Sequence, residues 1–243
     1  SPILVLYGFS LLLLFGLFVF GANIRGSESW YRIWGITIEP VEFVKISIVL
    51  LLAKYFSMRH IEMYRFRHII TSGLYVLLPA SFVFIQSEIG SVLILISTWI
   101  GVMIIAGIKI KHLALLVFAG MTLLLVGWNF AFQDYQKDRL ISFINPEADP
   151  RGSGYNVLQS AIAIGSGGIM GKGIGEGTQT QLRFLPEAQT DFIYAAISEE
   201  LGLFGVFILL ACFAFFVRKV MDISRASTNN FARLVAAGFS IMF

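Results

Sequence analysis

The stretch GSGGIMGKGIGEGTQTQLRFLPEAQTDFIYAAISEELGLFG, Gly165 to Gly205, decides how the chain is read. Seven glycines fall between 165 and 177, too many for a stable helix, and such backbone can approach a ligand closely. A polar run follows, carrying Lys172, Glu176, Arg183 and Glu187 down to Thr190 and Asp191. From Phe192 the sequence is apolar and helical, broken only by the adjacent acids Glu199 and Glu200, about two turns further along at ~1.5 Å per residue. Acids at that depth of an apolar helix are costly unless a cavity or a partner compensates them.

The rest of the chain supports a membrane reading. Of its 243 residues 57% are hydrophobic and 14% charged, with a mean hydropathy of +0.79; a soluble domain would carry a charged fraction nearer ~25%. Apolar runs long enough to span a bilayer recur along it. The predicted fold is therefore all-α: a polytopic transmembrane helix bundle, one domain over residues 1–243, with a long polar and glycine-rich segment at about 131–191. Spans are expected at Ile3–Ala22, from Glu39 and Pro40 to about Tyr55, and at Ile69–Ile85, Val92–Gly107, Leu113–Phe130 and Phe192–Val217, before the chain stops inside a further apolar run. A chain beginning at Ser1 and ending this way reads as a fragment.

The loops orient the bundle. Those at 59–68, 109–112 and 218–233 are rich in Lys and Arg and, counting spans, share one side, which the positive-inside rule makes cytoplasmic. The connection at 23–38, with Trp30, Tyr31 and Trp34, the QSEIGS break at Gln86–Ser91 and the region 131–191 then all face outward. A net charge of +3 placed in such loops excludes nucleic-acid binding as its purpose. His60, His68 and His112 share no ligand spacing and read as solvated loop residues. The lone Cys212 allows no intrachain disulfide. The glycine run is not a Walker loop, since Ser166 and Gly173 stand where Gly and Ser or Thr are needed, and no G-x-G-x-x-G register fits.

Glu42 and Lys45 lie at i and i+3, on one face of the second span. They form either a locally neutralised ion pair or a polar wall of an internal cavity. Counted from their helix ends, Lys45 and Glu199 come out nearly level, so Lys45 is expected to pair with Glu42 and with Glu199 or Glu200. Asp191 reads either as a first-turn acid favoured by the helix dipole, worth ~0.3–1 kcal/mol, or as a carboxylate serving both water and substrate.

From Arg139 to Gly202 the sequence RLISFINPEADPRGSGYNVLQSAIAIGSGGIMGKGIGEGTQTQLRFLPEAQTDFIYAAISEELG closely resembles the SEDS family of bacterial cell-wall polymerases, and the elongation (RodA) branch more than the division (FtsW) branch. EPVEFVK at Glu39–Lys45 is similar to the family's QPSEFAK, the Trp30 region to its NGAxRW segment, and QSEIGS to its QPDLGT. There are departures: Glu39 stands for Gln, Val41 for Ser, Ser29 for Arg, Glu88 for Asp, and Gln189 for the His of the HTDF motif. The resemblance implies a ten-span protein of the bacterial plasma membrane, of which this chain would hold the third to eighth spans and the start of the ninth. It implies a peptidoglycan glycosyltransferase that polymerises lipid II, with Asp191 as general base. Trp30, Glu42, Lys45, Arg139, Lys172, Glu187, Glu199 and Glu200 would line its substrate cavity, and Lys172, Arg139, Arg183 and Lys45 are the candidate cations for the leaving diphosphate. It also implies a class B penicillin-binding protein as partner. It assigns no cofactor; a divalent ion, Mg or Mn, bridging Asp191 and the diphosphate is compatible with it, and the sequence does not decide metal dependence. The alternative is a lipid II flippase, whose transport path the same charges would line.

Overall fold

The structure, a computed structural model, describes residues 2–24, 27–33, 36–58, 66–86, 88–130, 137, 141, 145–146, 149, 154–185, 188 and 191–242. The helices are α1 (Pro2–Phe20), α2 (Pro40–Ser57), α3 (Phe66–Ile85), α4 (Ile89–Ala106), α5 (Ile110–Phe130), α6 (Tyr155–Gly167), α7 (Thr178–Gln181), α8 (Ile193–Ala226) and α9 (Asn230–Met242). Between α1 and α2 lie three short strands, β1 (Ala22–Ile24), β2 (Ser27–Ile33) and β3 (Ile36–Ile38). Five of these helices, α1, α3, α4, α5 and α8, are long and apolar enough to cross a membrane. The chain forms two compact units, one of residues 1–116 with 217–243, the other of residues 117–216.

In the first unit α2 is the central helix. Val41, Val44, Ile48, Val49, Leu51, Leu52, Ala53 and Phe56 are all buried, so apolar side chains close it on nearly every side, the pattern of a core helix. It packs against α1, α3, α4 and α9, whose Leu14, Leu17, Val76, Val83, Leu95, Met103 and Leu234 complete the core. A few polar pairs fix the packing within it: Ser10 Oγ and Ser47 Oγ lie 3.0 Å apart between α1 and α2, and Trp99 Nε1 of α4 donates to Ser72 Oγ of α3 at 3.0 Å. In an apolar interior such bonds contribute mainly by setting register. His68, expected in a solvated loop, instead sits in the first turn of α3, buried, with Nδ1 2.8 Å from Tyr55 Oη.

The strands are an addition to the all-helical expectation. Ser-Glu-Ser-Trp-Tyr-Arg-Ile carries the aromatic and β-branched residues a strand favours, and β2 pairs antiparallel with both neighbours, Ala22 opposite Trp30 and Tyr31 opposite Ile38. Tyr31 ties this small meander to α1: its hydroxyl donates to the Leu13 carbonyl at 2.8 Å and rests over Gly16.

In the second unit the region read as one long loop contains α6 and the single turn α7. Helix α6 runs through Gly165 to Gly167 before the glycines break it. Ala163, Leu185 and Ala195 form a small buried cluster with Ile164, Ala188 and Phe192 around it. Helix α8 is not continuous: Gly202 has φ 65 and ψ −168, so it is two helical segments meeting at a kink.

Candidate functional site

The break at Gly202 has a partner in the glycine run. In an unbroken helix the amides of Leu203 and Phe204 would donate to the carbonyls of Glu199 and Glu200. Here Leu203 N donates to Gly168 O at 2.9 Å and Phe204 N to Ile169 O at 3.1 Å, while Lys172 N and Gly173 N donate to Glu199 O and Glu200 O, each at 3.0 Å. Two helical bonds are thus exchanged for four to the glycine segment, and the amides and carbonyls they join stay paired in a setting where each orphan is expensive. Two glycines are required for this exchange. Gly171 (φ 79) and Gly202 (φ 65) both have left-handed backbone; a Cβ on Gly171 would strike the Glu200 carbonyl oxygen, and one on Gly202 the Gly171 nitrogen.

Glu199 fastens the next part of the loop. Its side chain is fully buried and accepts five hydrogen bonds. Lys172 Nζ reaches Oε1 at 2.8 Å, Thr178 Oγ1 at 3.2 Å and Gln179 N at 2.9 Å; Thr180 N and Thr180 Oγ1 reach Oε2 at 3.1 and 2.9 Å. Only an acceptor-only group suits five converging donors. The carboxylate therefore caps α7, taking two of its first amides, and neutralises Lys172. That ammonium is also bonded to Thr178 Oγ1 at 2.7 Å, so its charge is directed inward.

Against this clamped loop lies a cavity of about 420 Å³ lined by Ile174, Thr180, Gln181, Ala188, Ile193, Ala196, Ile197, Glu200 and Leu201. Ile193, Ala196, Ile197 and Glu200 follow i, i+3, i+4, i+7, one face of the first half of α8. Asp191 stands at the turn two residues before Ile193 and is exposed. Glu200 is only partly exposed, and among the described residues its carboxylate has neither a hydrogen bond nor an ion pair. Arg183, exposed and with φ 56, likewise has no side-chain partner among them.

The first unit carries a second polar cluster, where α2 and α4 begin. Lys45, buried on α2, pairs with Glu42 at 2.7 Å, as its spacing predicts. The expected pairing of Lys45 with Glu199 or Glu200 joins residues of different units; within its own unit Glu199 already has Lys172. Glu39 precedes α2 and Glu88 precedes α4, and their side chains are hydrogen-bonded to each other. Burial, the Glu88 and Glu42 carboxylates, and that bond push the Glu39 carboxyl up to about 7, against the opposing effect of Lys45. Trp30 is half-buried in β2, opposite Ala22.

Of the residues singled out in the sequence, Lys172, Glu199, Glu200 and Asp191 thus belong to one stretch of the second unit, and Glu42, Lys45 and Trp30 to the first. Arg139 and Glu187 lie outside the described residues. Sequence reasoning missed Thr178 and Thr180 as ligands of Glu199, and it missed the break in α8. The pair Gly202 and Gly205, directly behind the two acids, was the available signal.

Comparison with known proteins bears on the whole chain. The model of the FtsW/RodA/SpoVE family, described as "Cell cycle protein", matches residues 2–243. The chain is 32% identical over 237 residues to the peptidoglycan glycosyltransferase MrdB of Escherichia coli K12, covering 98% of this chain and 64% of that protein. It is 34% identical over 245 residues to a probable peptidoglycan glycosyltransferase FtsW of Nitrosococcus halophilus, covering 99% of this chain and 62% of the relative. A chain from a solved structure entitled "Structural coordination of polymerization and crosslinking by a peptidoglycan synthase complex" superposes with a TM-score of 0.81 at 26% identity, over 99% of this chain and 66% of that one. This chain therefore spans a little under two thirds of the curated relatives it matches.

Proposed function

Because the chain belongs to the FtsW/RodA/SpoVE family and is a multi-pass helical membrane protein, we propose that it works as a peptidoglycan glycosyltransferase polymerising lipid II. In this reaction the 4-hydroxyl of one GlcNAc attacks the anomeric carbon of a second lipid-linked chain. The new β-1,4 bond forms as the α-linked bond to undecaprenyl diphosphate breaks, and the hydroxyl proton passes to a base. Asp191 is that base. The observation that carries the assignment is its position: an exposed carboxylate at the head of an interrupted helix, two residues before Ile193 of the cavity wall. A base must meet both water and substrate while its backbone stays fixed.

The leaving diphosphate needs cations. Lys172 is bonded to Glu199, so of the two candidate cations described in this unit, Lys172 and Arg183, it is Arg183 that is left to meet it. Lys45, with Glu42, and Trp30 belong to the first unit and, like Arg139 and Glu187, remain candidates by sequence. Among the described residues no three His, Cys, Asp or Glu side chains converge. A Mg or Mn ion at Asp191 would therefore have fewer than three such ligands among the described residues, and would supply positive charge for the diphosphate. We place the active-site loop outside the plasma membrane, because the basic loops share the opposite side, and we assign a class B penicillin-binding protein as crosslinking partner. Identity to MrdB and to FtsW differs by two points, so the elongation role rests on the motif GKGIGEGTQTQLRFLPEAQTDF.

A lipid II flippase remains the second reading, favoured by one observation: interrupted helices are the hallmark of transporter sites. Such interruptions come in pairs related by a repeat. Among the described residues Gly202 is the one non-helical residue inside a helix, and the sequence shows no internal repeat. Incubating the protein with labelled lipid II, with and without Asp191→Ala, separates the readings. A polymerase loses glycan product, a flippase keeps translocating, and a scaffold does neither.

A further inference from the structure

The cavity beside Asp191 has a chemical character that its position alone does not explain. Its walls are mostly aliphatic: Ile174, Ile193, Ala196, Ile197 and Leu201. Into this apolar surface are set one carboxylate, Glu200, and one carboxamide, Gln181. Neither side chain has a hydrogen-bond partner among the described residues. The contrast with the neighbouring acid is sharp, since Glu199 next to it is fully buried and accepts five bonds. Any ligand that covers this carboxylate against the aliphatic walls must itself supply a donor, or the arrangement becomes unfavourable. At about 420 Å³ the cavity falls within the size of small-molecule sites, roughly 300–1,000 Å³.

The donor cannot be a diphosphate, which carries negative charge and would be repelled by Glu200. A plain hydrocarbon would leave the carboxylate unsatisfied. What fits is a neutral group with an N–H to give, a carbonyl to receive, and a small apolar end: a secondary acetamide. We propose that this cavity holds the 2-acetamido group of the sugar whose hydroxyl Asp191 deprotonates. The amide N–H donates to Glu200, the Gln181 carboxamide N–H donates to the acetyl carbonyl, and the methyl rests among Ile193, Ala196 and Ile197. The placement matches the proposed chemistry, because Ile193, the first of these residues, follows Asp191 by two positions. The inference rests on the glycosyltransferase reading above and adds to it a device that selects N-acetylated acceptors.

The test compares two lipid-linked disaccharides that differ only at C2 of the acceptor sugar, acetamido or hydroxyl, in glycan synthesis by the protein. The wild type should prefer the acetamido substrate in kcat/KM by roughly 10- to 100-fold, the size expected for a lost methyl niche plus an unpaired buried acceptor. Ala196→Leu, which fills the niche, and Glu200→Ala, which removes the acceptor, should each bring that ratio toward one. Glu200→Gln should keep most of the preference, since its carbonyl still accepts the N–H. A wild-type ratio near one overturns the proposal. So does a wild-type preference that survives in both Ala196→Leu and Glu200→Ala, or an equal fall on both substrates that leaves the ratio unchanged. Failure of the underlying glycosyltransferase reading looks different: the wild type then makes glycan from neither substrate.

Discussion

Replacing Glu199 by alanine removes the acceptor of five donors at once, and the structure allows the loss to be estimated. The hydroxyls of Thr178 and Thr180 can rotate toward water or other acceptors. The amides of Gln179 and Thr180 cannot, and each buried amide left unpaired costs about 1–3 kcal/mol. Lys172 loses its carboxylate; breaking a buried ion pair costs about 3–5 kcal/mol, and the lower end or less applies because the Lys172 side chain is 28% exposed. These contributions overlap, and about 4 kcal/mol for the opening of residues 172–180 is a fair sum. Glu199→Gln keeps one carbonyl but turns its NH₂ toward the Thr180 amide, for about 2–3 kcal/mol. Lys172→Met leaves the carboxylate four donors and should cost less, about 1–2 kcal/mol.

The assay is proteolysis of the protein in lipid nanodiscs, following cleavage after Arg183, which is exposed on the segment that would be released. Where opening and closing outpace cleavage, the rate follows the open population. At tenfold per 1.4 kcal/mol, Glu199→Ala should be cut almost three orders of magnitude faster than wild type. The double variant Lys172→Met with Glu199→Gln should cost little more than Glu199→Gln alone, because the two side chains share one interaction. Cleavage of Glu199→Ala within about threefold of wild type, under 1 kcal/mol, would refute the idea that this carboxylate holds the loop. Strict additivity in the double variant would separately refute the ion pair.

Three further outcomes follow from the same geometry. Gly171→Ala and Gly202→Ala each place a Cβ against backbone and in a left-handed conformation, so both should speed the same cleavage by at least tenfold, ~1.4 kcal/mol. Asp191→Asn should leave the cleavage rate and the thermal midpoint at wild-type values, because the side chain is exposed at a turn, while glycan synthesis is lost. Glu39 gives a pH dependence of defined sign. Its carboxyl sits at about 7 in the fold against an ordinary 4.5, so between those values the folded chain holds a proton that the unfolded chain has lost. The stabilisation is complete below pH 4.5 and drains away as pH rises to 7. With the carboxyl half in solvent, the full conversion is discounted to about 1 kcal/mol. Thermal melts of Glu39→Gln should lack this slope, since the amide donates to Glu88 at any pH.

Much of the fold was legible because membrane helices advertise themselves by length and apolarity. The boundaries expected for the spans fall within a few residues of α1 to α5 and of the start of α8, which continues past the expected end at Val217 to Ala226. The i, i+3 spacing of Glu42 and Lys45 likewise sufficed to forecast their ion pair, because both ends of that interaction lie on one helix. What escaped was everything requiring contact between distant residues. Ser27–Ile33 read as a polar interfacial connection, and only its pairing with both neighbours makes it the middle strand of a meander. His68 looked like a loop residue until the first turn of α3 began ahead of it and Tyr55 supplied a partner. Depth counting put Glu199 level with Lys45, yet depth carries no information about azimuth or about which loop folds back. The cation Glu199 uses lies 27 residues before it in sequence, on a segment whose glycines conceal its path.

The two adjacent acids show why a residue pattern alone could not assign roles here. Glu199 and Glu200 are successive positions of one helix, so their side chains point about 100° apart. One direction meets the folded-back loop, where Lys172 and the amides of α7 wait. The other meets a largely aliphatic cavity, where among the described residues no side chain donates to it. The break at Gly202 makes both environments possible, because it frees the two carbonyls to which Lys172 and Gly173 attach, drawing the loop against the helix at the level of the acids. A continuous helix would keep those carbonyls for Leu203 and Phe204 and leave the loop without that backbone attachment. The interruption is therefore what divides the labour: Glu199 holds the loop, Glu200 is left open to a ligand, and Asp191 stays exposed at the turn that leads into the same helix.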